Sequence, residues 1–143
     1  MRPRRGRYPH LGASAGLRPL PVDALIRQIR AGFAFKALER LSEASGISVS
    51  EIGNLIDLPE RTLARRKAAG RLTAQESERL LRLSGIFEKA VDLFDGNVSE
   101  AVAWLGRPKR ALGFETPWEC LRTELGARRV EDLIGSLLHG VFV

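Results

Sequence analysis

Apolar residues recur at three- and four-residue intervals along most of the chain, with charged residues between them. The clearest stretch lies between residues 73 and 95, where this spacing persists over four turns and predicts an amphipathic helix. Its apolar positions are Leu80, Leu83, Phe87, Ala90, Val91 and Phe94. No segment alternates apolar and polar residues between turn signals, as a half-buried strand would. The pattern therefore predicts an all-α fold of about eight helices.

Helix starts can be placed from a short polar pattern. In three places a Ser or Thr is followed three residues later by Glu, so that hydroxyl and carboxylate can satisfy the free N–H groups of a first turn. The pairs are Ser48 with Glu51, Thr73 with Glu76, and Thr116 with Glu119. The third pair predicts a helix that ends near Leu125 and Gly126, and the apolar spacing after it predicts a last helix over 127–138.

The stretch 47–73 predicts two short helices joined by a tight turn, with Pro59 at the second start and Leu63 as its buried anchor. Basic residues crowd the outer side of the second helix, which is typical of a DNA-binding helix-turn-helix. Glu60 either caps this helix or accepts a hydrogen bond from cytosine. We expect bases to be read by Arg61, Arg65 and Arg66, phosphates to be bound by Lys67 and Arg71, and Thr62 to contact a phosphate or a thymine methyl.

Charge is unevenly distributed along the 143 residues. Residues 1–72 hold 14 Lys and Arg against 6 Asp and Glu, whereas residues 73–143 hold 9 against 11. This asymmetry predicts a half that faces nucleic acid and a half with another partner. We therefore divide the chain into a flexible basic arm (1–21), a helix-turn-helix domain for DNA binding and dimerisation (22–72), and a partner-binding domain (73–143). In the arm, Arg2, Arg4, Arg5 and Arg7 either contact DNA or belong to a solvated tail.

Several function classes are disfavoured. The sequence lacks phosphate-binding, metalloprotease and serine-hydrolase motifs, and its two His and one Cys are too few for a metal site, so we expect no enzyme and no cofactor. No apolar run is long enough to span a membrane and no secretory signal is recognisable, so a cytoplasmic protein is expected. Cys120 suits a half-buried structural thiol, and Trp104 and Trp118 either pack in the core or anchor a partner. The apolar ending at 140–143 either docks on the core or inserts into a partner.

From about residue 33 onward the chain resembles the Xre/MbcA/ParS-like antitoxins. The first half of the resemblance lies in RTLARRK (61–67), GRLT (70–73) and ESERL (76–80). The second half lies in Ala103-Trp104-Leu105, Pro108, Ala111-Leu112-Gly113, Thr116-Pro117, Leu121, Thr123, Gly126-Ala127, Val130, Leu133 and Gly140. Lys109 and Phe114 depart from the family, which often has Asn at the first position and Gly or a polar residue at the second.

The resemblance implies a type II antitoxin that binds the operator of its own operon as a dimer and represses it. It also implies a partner, a RES-domain toxin that degrades NAD⁺ and whose active site the C-terminal region covers in a hetero-oligomer. An alternative is a stand-alone helix-turn-helix regulator. Carried onto this chain, the toxin-binding residues are expected on the last helix and just after it. They are Arg128, Arg129, Asp132, Gly135, Ser136, His139, Gly140 and Val141.

Overall fold

The computed structural model describes residues 7–140. This part of the chain forms eight α-helices and no β-strand, which confirms the all-α prediction. The helices are α1 (Val22–Ala31), α2 (Lys36–Ser45), α3 (Val49–Leu55), α4 (Glu60–Ala69), α5 (Ala74–Leu93), α6 (Val98–Leu105), α7 (Pro117–Cys120) and α8 (Glu124–His139). Short 3-10 turns at Ala13–Ala15 and Arg110–Leu112 complete the described structure.

The long helix α5 is the centre of the fold. Its buried side chains, which include Leu80, Ile86 and Phe87, face α1, α2, α6 and α8. Thr73 and Glu76 start the helix with the predicted reciprocal capping box. One continuous apolar core runs from Ile52 in α3 to Val130 in α8 and is lined along its length by α5. The helix-turn-helix and the C-terminal helices are therefore packed on the same scaffold.

The boundary between the last two helices differs from the prediction. α7 ends at Cys120, and α8 starts at Glu124, because the Thr123 hydroxyl accepts a hydrogen bond from the Gly126 N–H at 3.0 Å. Gly126 is required at this bend, since a β-carbon there would collide with the Cys120 carbonyl oxygen. Residues 128 and 129 consequently lie in the second turn of α8 and not at its start.

The prediction of a flexible arm over residues 1–21 is wrong for residues 7–17. Ser14 and Ala15 are buried, and the Tyr8 ring lies 5.8 Å from that of Phe87 on α5. The anchor is the buried carboxylate of Glu88, which accepts hydrogen bonds from the Gly12 N–H (3.2 Å), the Ser14 N–H (2.9 Å) and the Ser14 hydroxyl (2.5 Å). The buried Glu88 carboxylate and the Tyr8–Phe87 contact therefore hold this aperiodic segment against α5.

This anchor predicts a pH-dependent stability. Burial raises the pKa of Glu88, and the hydrogen bonds from Ser14 and Gly12 offset only part of that rise. The unfolded chain then loses the Glu88 proton before the folded chain does, so the free energy of unfolding falls as pH rises from the ordinary glutamate pKa toward the raised one. Glu88→Gln should lack this decline, whereas Glu88→Ala should cost about 1–3 kcal/mol because it leaves buried N–H donors without an acceptor. Urea denaturation across the acidic to neutral range checks both variants, and an unchanged pH slope in Glu88→Gln would contradict the assignment.

Candidate DNA-binding and partner-binding surfaces

Helix α4 packs against α3 through Leu63, and the turn between the two helices sets its direction. Leu63 is the only buried residue of α4, and it packs so closely on Gly53 that a β-carbon there would lie 3.0 Å from Leu63 Cδ2. The turn between the helices passes through Asp57, whose φ of 61° is in the left-handed region. The Ser48 hydroxyl caps α3 by accepting from the Glu51 N–H at 3.1 Å. This arrangement leaves the rest of α4 pointing outward, as a recognition helix requires.

Three of the predicted DNA contacts are placed for that role. Arg61, Arg65 and Lys67 are exposed on α4. Arg65 donates a 3.3 Å hydrogen bond to the Thr62 hydroxyl, which lies beside it and is half-buried. Glu60 accepts from the Ser50 hydroxyl and thus links the starts of the two helices, so it is less available to bases than a free carboxylate. Arg61 and Arg65 lie one turn apart on the same side of α4 and form a small cationic patch, whereas Lys67 is exposed on another side of the helix, one turn after Leu63.

Arg66 does not belong to this patch, which corrects the prediction that it reads bases. Its Nε and Nη2 atoms bond the two carboxylate oxygens of Glu76 at 2.7 and 3.0 Å. Glu76 is only 6% exposed, and its Oε1 also accepts from the Thr73 N–H at 2.9 Å. Burial raises the pKa of Glu76, but the Arg66 and Thr73 hydrogen bonds outweigh burial and lower it. The guanidinium fork is thus occupied in fixing α4 to the start of α5.

Arg71 and Arg7 are also engaged within the chain. Arg71 donates from Nη1 to the carbonyls of Gly32 (2.8 Å) and Ala31 (3.3 Å), yet it stays exposed, so its phosphate role remains a prediction. At the far end of α5, the Arg7 backbone N–H donates to the Asp92 carboxylate at 3.2 Å, and the Arg7 guanidinium donates to the Gly96 carbonyl at 3.3 Å. Glu76 and Asp92 are sixteen positions apart on α5, which corresponds to about 24 Å at 1.5 Å per residue. Arg7 therefore lies near the opposite end of α5 from the Arg66–Glu76 pair, and its contact with DNA stays a prediction. Arg2, Arg4 and Arg5 lie outside the described residues.

The predicted toxin-binding residues within the described chain share the last helix or its end. Arg128, Asp132, Ser136 and His139 follow one another at three- and four-residue intervals, and therefore form an outward stripe along α8. Ala127, Val130 and Ile134 form the opposite, buried face. Gly135 and Ser136 are half-buried, Gly140 ends the helix with a left-handed φ of 63°, and Val141 lies outside the described residues.

The two arginines of α8 have partners inside the protein. Arg128 pairs with Glu124 at 3.1 Å across one helical turn, and both side chains are about two thirds exposed. Such a surface pair contributes little stability, so Arg128 can leave it for a partner at small cost. Arg129 donates to the Ala111 carbonyl at 3.1 Å and joins α8 to the loop before α7.

The remaining candidates of the C-terminal half are structural. Trp104 and Trp118 are half-buried against the core, in agreement with the packing alternative. Cys120 is buried, and burial together with the neighbouring Glu115 carboxylate raises the pKa of its thiol, so it favours the neutral form.

Within residues 7–140, no group of three or more His, Cys, Asp or Glu side chains is arranged to hold a metal ion. Among the helices of the same residues, none has the length and apolarity to cross a membrane.

One link between the two halves was not foreseen from the sequence. The Arg122 guanidinium, in the loop before α8, bonds the Asp57 carboxylate at 2.6 Å in the turn of the helix-turn-helix. Arg79 on α5 donates to the neighbouring Ile56 carbonyl at 3.4 Å. The two residues of the Arg122–Asp57 pair are 65 positions apart, so sequence spacing gives no signal for it.

The folded chain is thus a helix-turn-helix protein with an additional helical domain built on the same core. Two family models match it, an antitoxin Xre-like helix-turn-helix domain over residues 24–85 and an antitoxin Xre/MbcA/ParS C-terminal toxin-binding domain over residues 89–140. The chain belongs to the Xre/MbcA/ParS antitoxin family, which confirms the resemblance seen in the sequence. Its families are DNA-binding and toxin-binding and not enzymatic.

Individual relatives agree with this assignment. The chain is 40% identical to the antitoxin Xre of Yersinia enterocolitica over 119 residues, which cover 82% of this chain and 80% of the relative. It is 35% identical to the antitoxin Xre of Photorhabdus laumondii over 77% of this chain and 75% of the relative. It is 29% identical to the mycobacterial cidal antitoxin MbcA of Mycobacterium tuberculosis over 75% of this chain and 89% of the relative.

Proposed function

We propose that this chain neutralises a RES-domain toxin that degrades NAD⁺, by covering the active site of the toxin with the outward stripe of α8. The observation that carries the proposal is the position of this stripe within the residues that match a toxin-binding domain. The RES identity of the toxin rests on the family resemblance. Arg128 is a suitable residue to enter a cleft for an anionic dinucleotide, because its pairing with Glu124 is weak and solvent-exposed.

The second part of the proposal is autoregulation in the cytoplasm. The cationic patch of Arg61 and Arg65 on α4 binds the operator of the chain's own operon, and Lys67 contacts a phosphate beside it. The protein represses that operon as a homodimer or as a toxin-bound assembly. The exposed recognition helix supports DNA binding. The patch is small, but a dimer would place two copies on adjacent half-sites and so bind the operator more tightly than one copy does.

Co-expression tests the neutralising activity directly. Cells that produce the toxin encoded beside this chain should lose NAD⁺ and stop growing, and co-expression of the full chain should restore both. Binding of the operator without rescue would instead establish a stand-alone helix-turn-helix regulator. Rescue of growth while NAD⁺ is never depleted by the toxin would contradict the RES assignment but not the antitoxin assignment.

Gly135 gives a finer test of the α8 stripe. A glycine inside a helix costs about 0.5–1 kcal/mol relative to alanine, and a β-carbon at this position would meet no other atom within 4 Å. The fold of the free chain therefore does not require Gly135, in contrast to Gly126. If the toxin backbone packs closely here, Gly135→Ala should raise the free energy of unfolding of the free protein and weaken toxin binding by about 1–3 kcal/mol through overpacking. Denaturation and titration calorimetry measure the two effects, and unchanged toxin affinity would remove Gly135 from the interface.

A further inference from the structure

Phe114, in the loop before α7, combines an exposed aromatic side chain with a left-handed backbone conformation. Its side chain is 72% exposed, and its φ is 68°, in the left-handed region that aromatic residues rarely adopt. Exposure forgoes the stabilisation that a buried aromatic ring provides, and the backbone conformation adds strain. Glycine would avoid both costs at this position. A residue that is unfavourable in the free protein on two counts suggests a use outside it.

Backbone hydrogen bonds close the loop in this conformation. The Phe114 N–H donates to the Lys109 carbonyl at 2.9 Å, and the Lys109 N–H donates to the Glu115 carbonyl at 2.9 Å. Leu112 is buried at the base of the loop. Arg129 on α8 bonds the Ala111 carbonyl and so ties the loop to the proposed toxin-binding helix. The Phe114 ring is therefore presented on a preorganised support, and its binding to a partner would carry a small entropic cost.

The surroundings of the ring define the chemistry of a partner. Between residues 107 and 115 the loop carries three cations (Arg107, Lys109 and Arg110) and one carboxylate (Glu115). The Nζ atom of Lys109 lies 4.5 Å from the centre of the Trp104 ring, and this cation–π contact holds the Lys109 charge at the base of the loop. A complementary surface is an apolar pocket with an acidic rim. The loop lies inside the residues that match the toxin-binding domain.

We propose that Phe114 is a specificity anchor for the cognate toxin, inserted into an apolar pocket whose rim is acidic. This inference rests on the proposed antitoxin function and adds a second contact beside the α8 stripe. Buried aromatic anchors commonly dominate interface energetics, and the cations around them mainly steer association. The loop then selects the partner, while α8 covers the active site.

The test compares toxin affinity and stability in matched variants of the full chain. Phe114→Gly removes the ring and relieves the backbone strain, so it should raise the melting temperature and weaken binding of the toxin encoded beside this chain at least tenfold. Phe114→Asn, which also tolerates a left-handed φ, should weaken binding to a similar degree. Val22→Ala is the control, because Val22 is equally exposed but lies on α1, outside the matched toxin-binding residues. Arg110→Glu should slow association, with an effect that salt suppresses.

Several results would overturn the inference. Wild-type affinity in both Phe114 variants would show that the ring does not contact the toxin. A change of self-association in sedimentation, with toxin affinity unchanged, would assign the ring to a second copy of the chain. If the wild-type chain itself fails to bind the toxin, the proposed function is wrong and the anchor with it, and this outcome is visible in the wild-type measurement alone.

Discussion

A variant with both Arg61→Ala and Arg65→Ala should bind its operator about 30-fold more weakly or worse, while its stability stays close to that of the parent. Both arginines are exposed on α4, and an arginine that contacts a base contributes about 1–3 kcal/mol. Two such losses amount to about 2–6 kcal/mol if they add. Fluorescence anisotropy on the promoter fragment upstream of the gene, at several salt concentrations, gives both the affinity and its salt dependence.

The matched control is Arg27→Ala with Arg30→Ala, which removes the same charge from exposed positions on α1. If the losses in the two double variants are equal, only net charge matters and α4 is not the reading element. If each α4 arginine instead binds a phosphate, the slope of log affinity against log salt should fall by about 2 in total, and binding to unrelated DNA should weaken equally.

Removal of the Glu76 side chain should have the largest effect on stability. Glu76→Ala breaks the pair with Arg66 and the capping box of α5, and we expect a loss of about 3 kcal/mol in the free energy of unfolding. The effect should shrink in acid: the lowered pKa of Glu76 means that its contribution is present above the ordinary glutamate pKa and is lost as pH falls through the lowered one. Urea denaturation at neutral and acidic pH measures both the loss and its pH dependence.

Glu78→Ala is the control for this variant, because Glu78 is exposed on the same turn of α5 and should change stability by less than about 0.5 kcal/mol. Arg66→Ala separates two roles for the arginine. As a packing residue it should destabilise the protein but leave operator binding by the folded fraction nearly unchanged. A large loss of operator affinity under conditions in which the variant is fully folded would restore Arg66 as a base-reading residue.

The helices were predictable because their signals are local. Apolar spacing places α5 and the buried face of α8, and a Ser, Thr or Asn cap marks several helix starts. The α7–α8 boundary was missed because Thr123 caps α8 without a Glu three residues later; Gly126 stands there instead. The capping-box pattern locates a helix start only when both the Ser or Thr and the Glu three residues later are present.

The errors at the candidate sites have a different cause. Arg66 follows Arg65 in a basic run, and only the folded turn between α4 and α5 brings Glu76 to it from ten residues away. Glu88 is 74 residues from Ser14, so the sequence of the aperiodic arm gives no signal that the arm is anchored to α5. The left-handed conformation of Phe114 is likewise imposed by the closed loop and not by its own preference. Side-chain partners that are distant in sequence are set by tertiary structure and have no local signal.

The two matched family models meet within α5, a single helix that packs on both the N-terminal and the C-terminal helices. Domains joined by a flexible linker can be exchanged between proteins without disturbing each other. Here a chimera with the DNA-binding half of one antitoxin and the toxin-binding half of another needs an α5 that packs correctly against the helices of both halves. The Asp57–Arg122 pair adds a second requirement, because each half must supply one member of this ion pair. Recombination between such genes should therefore yield folded proteins only when both parents share the packing residues of α5, which limits the exchange of toxin specificity to close relatives.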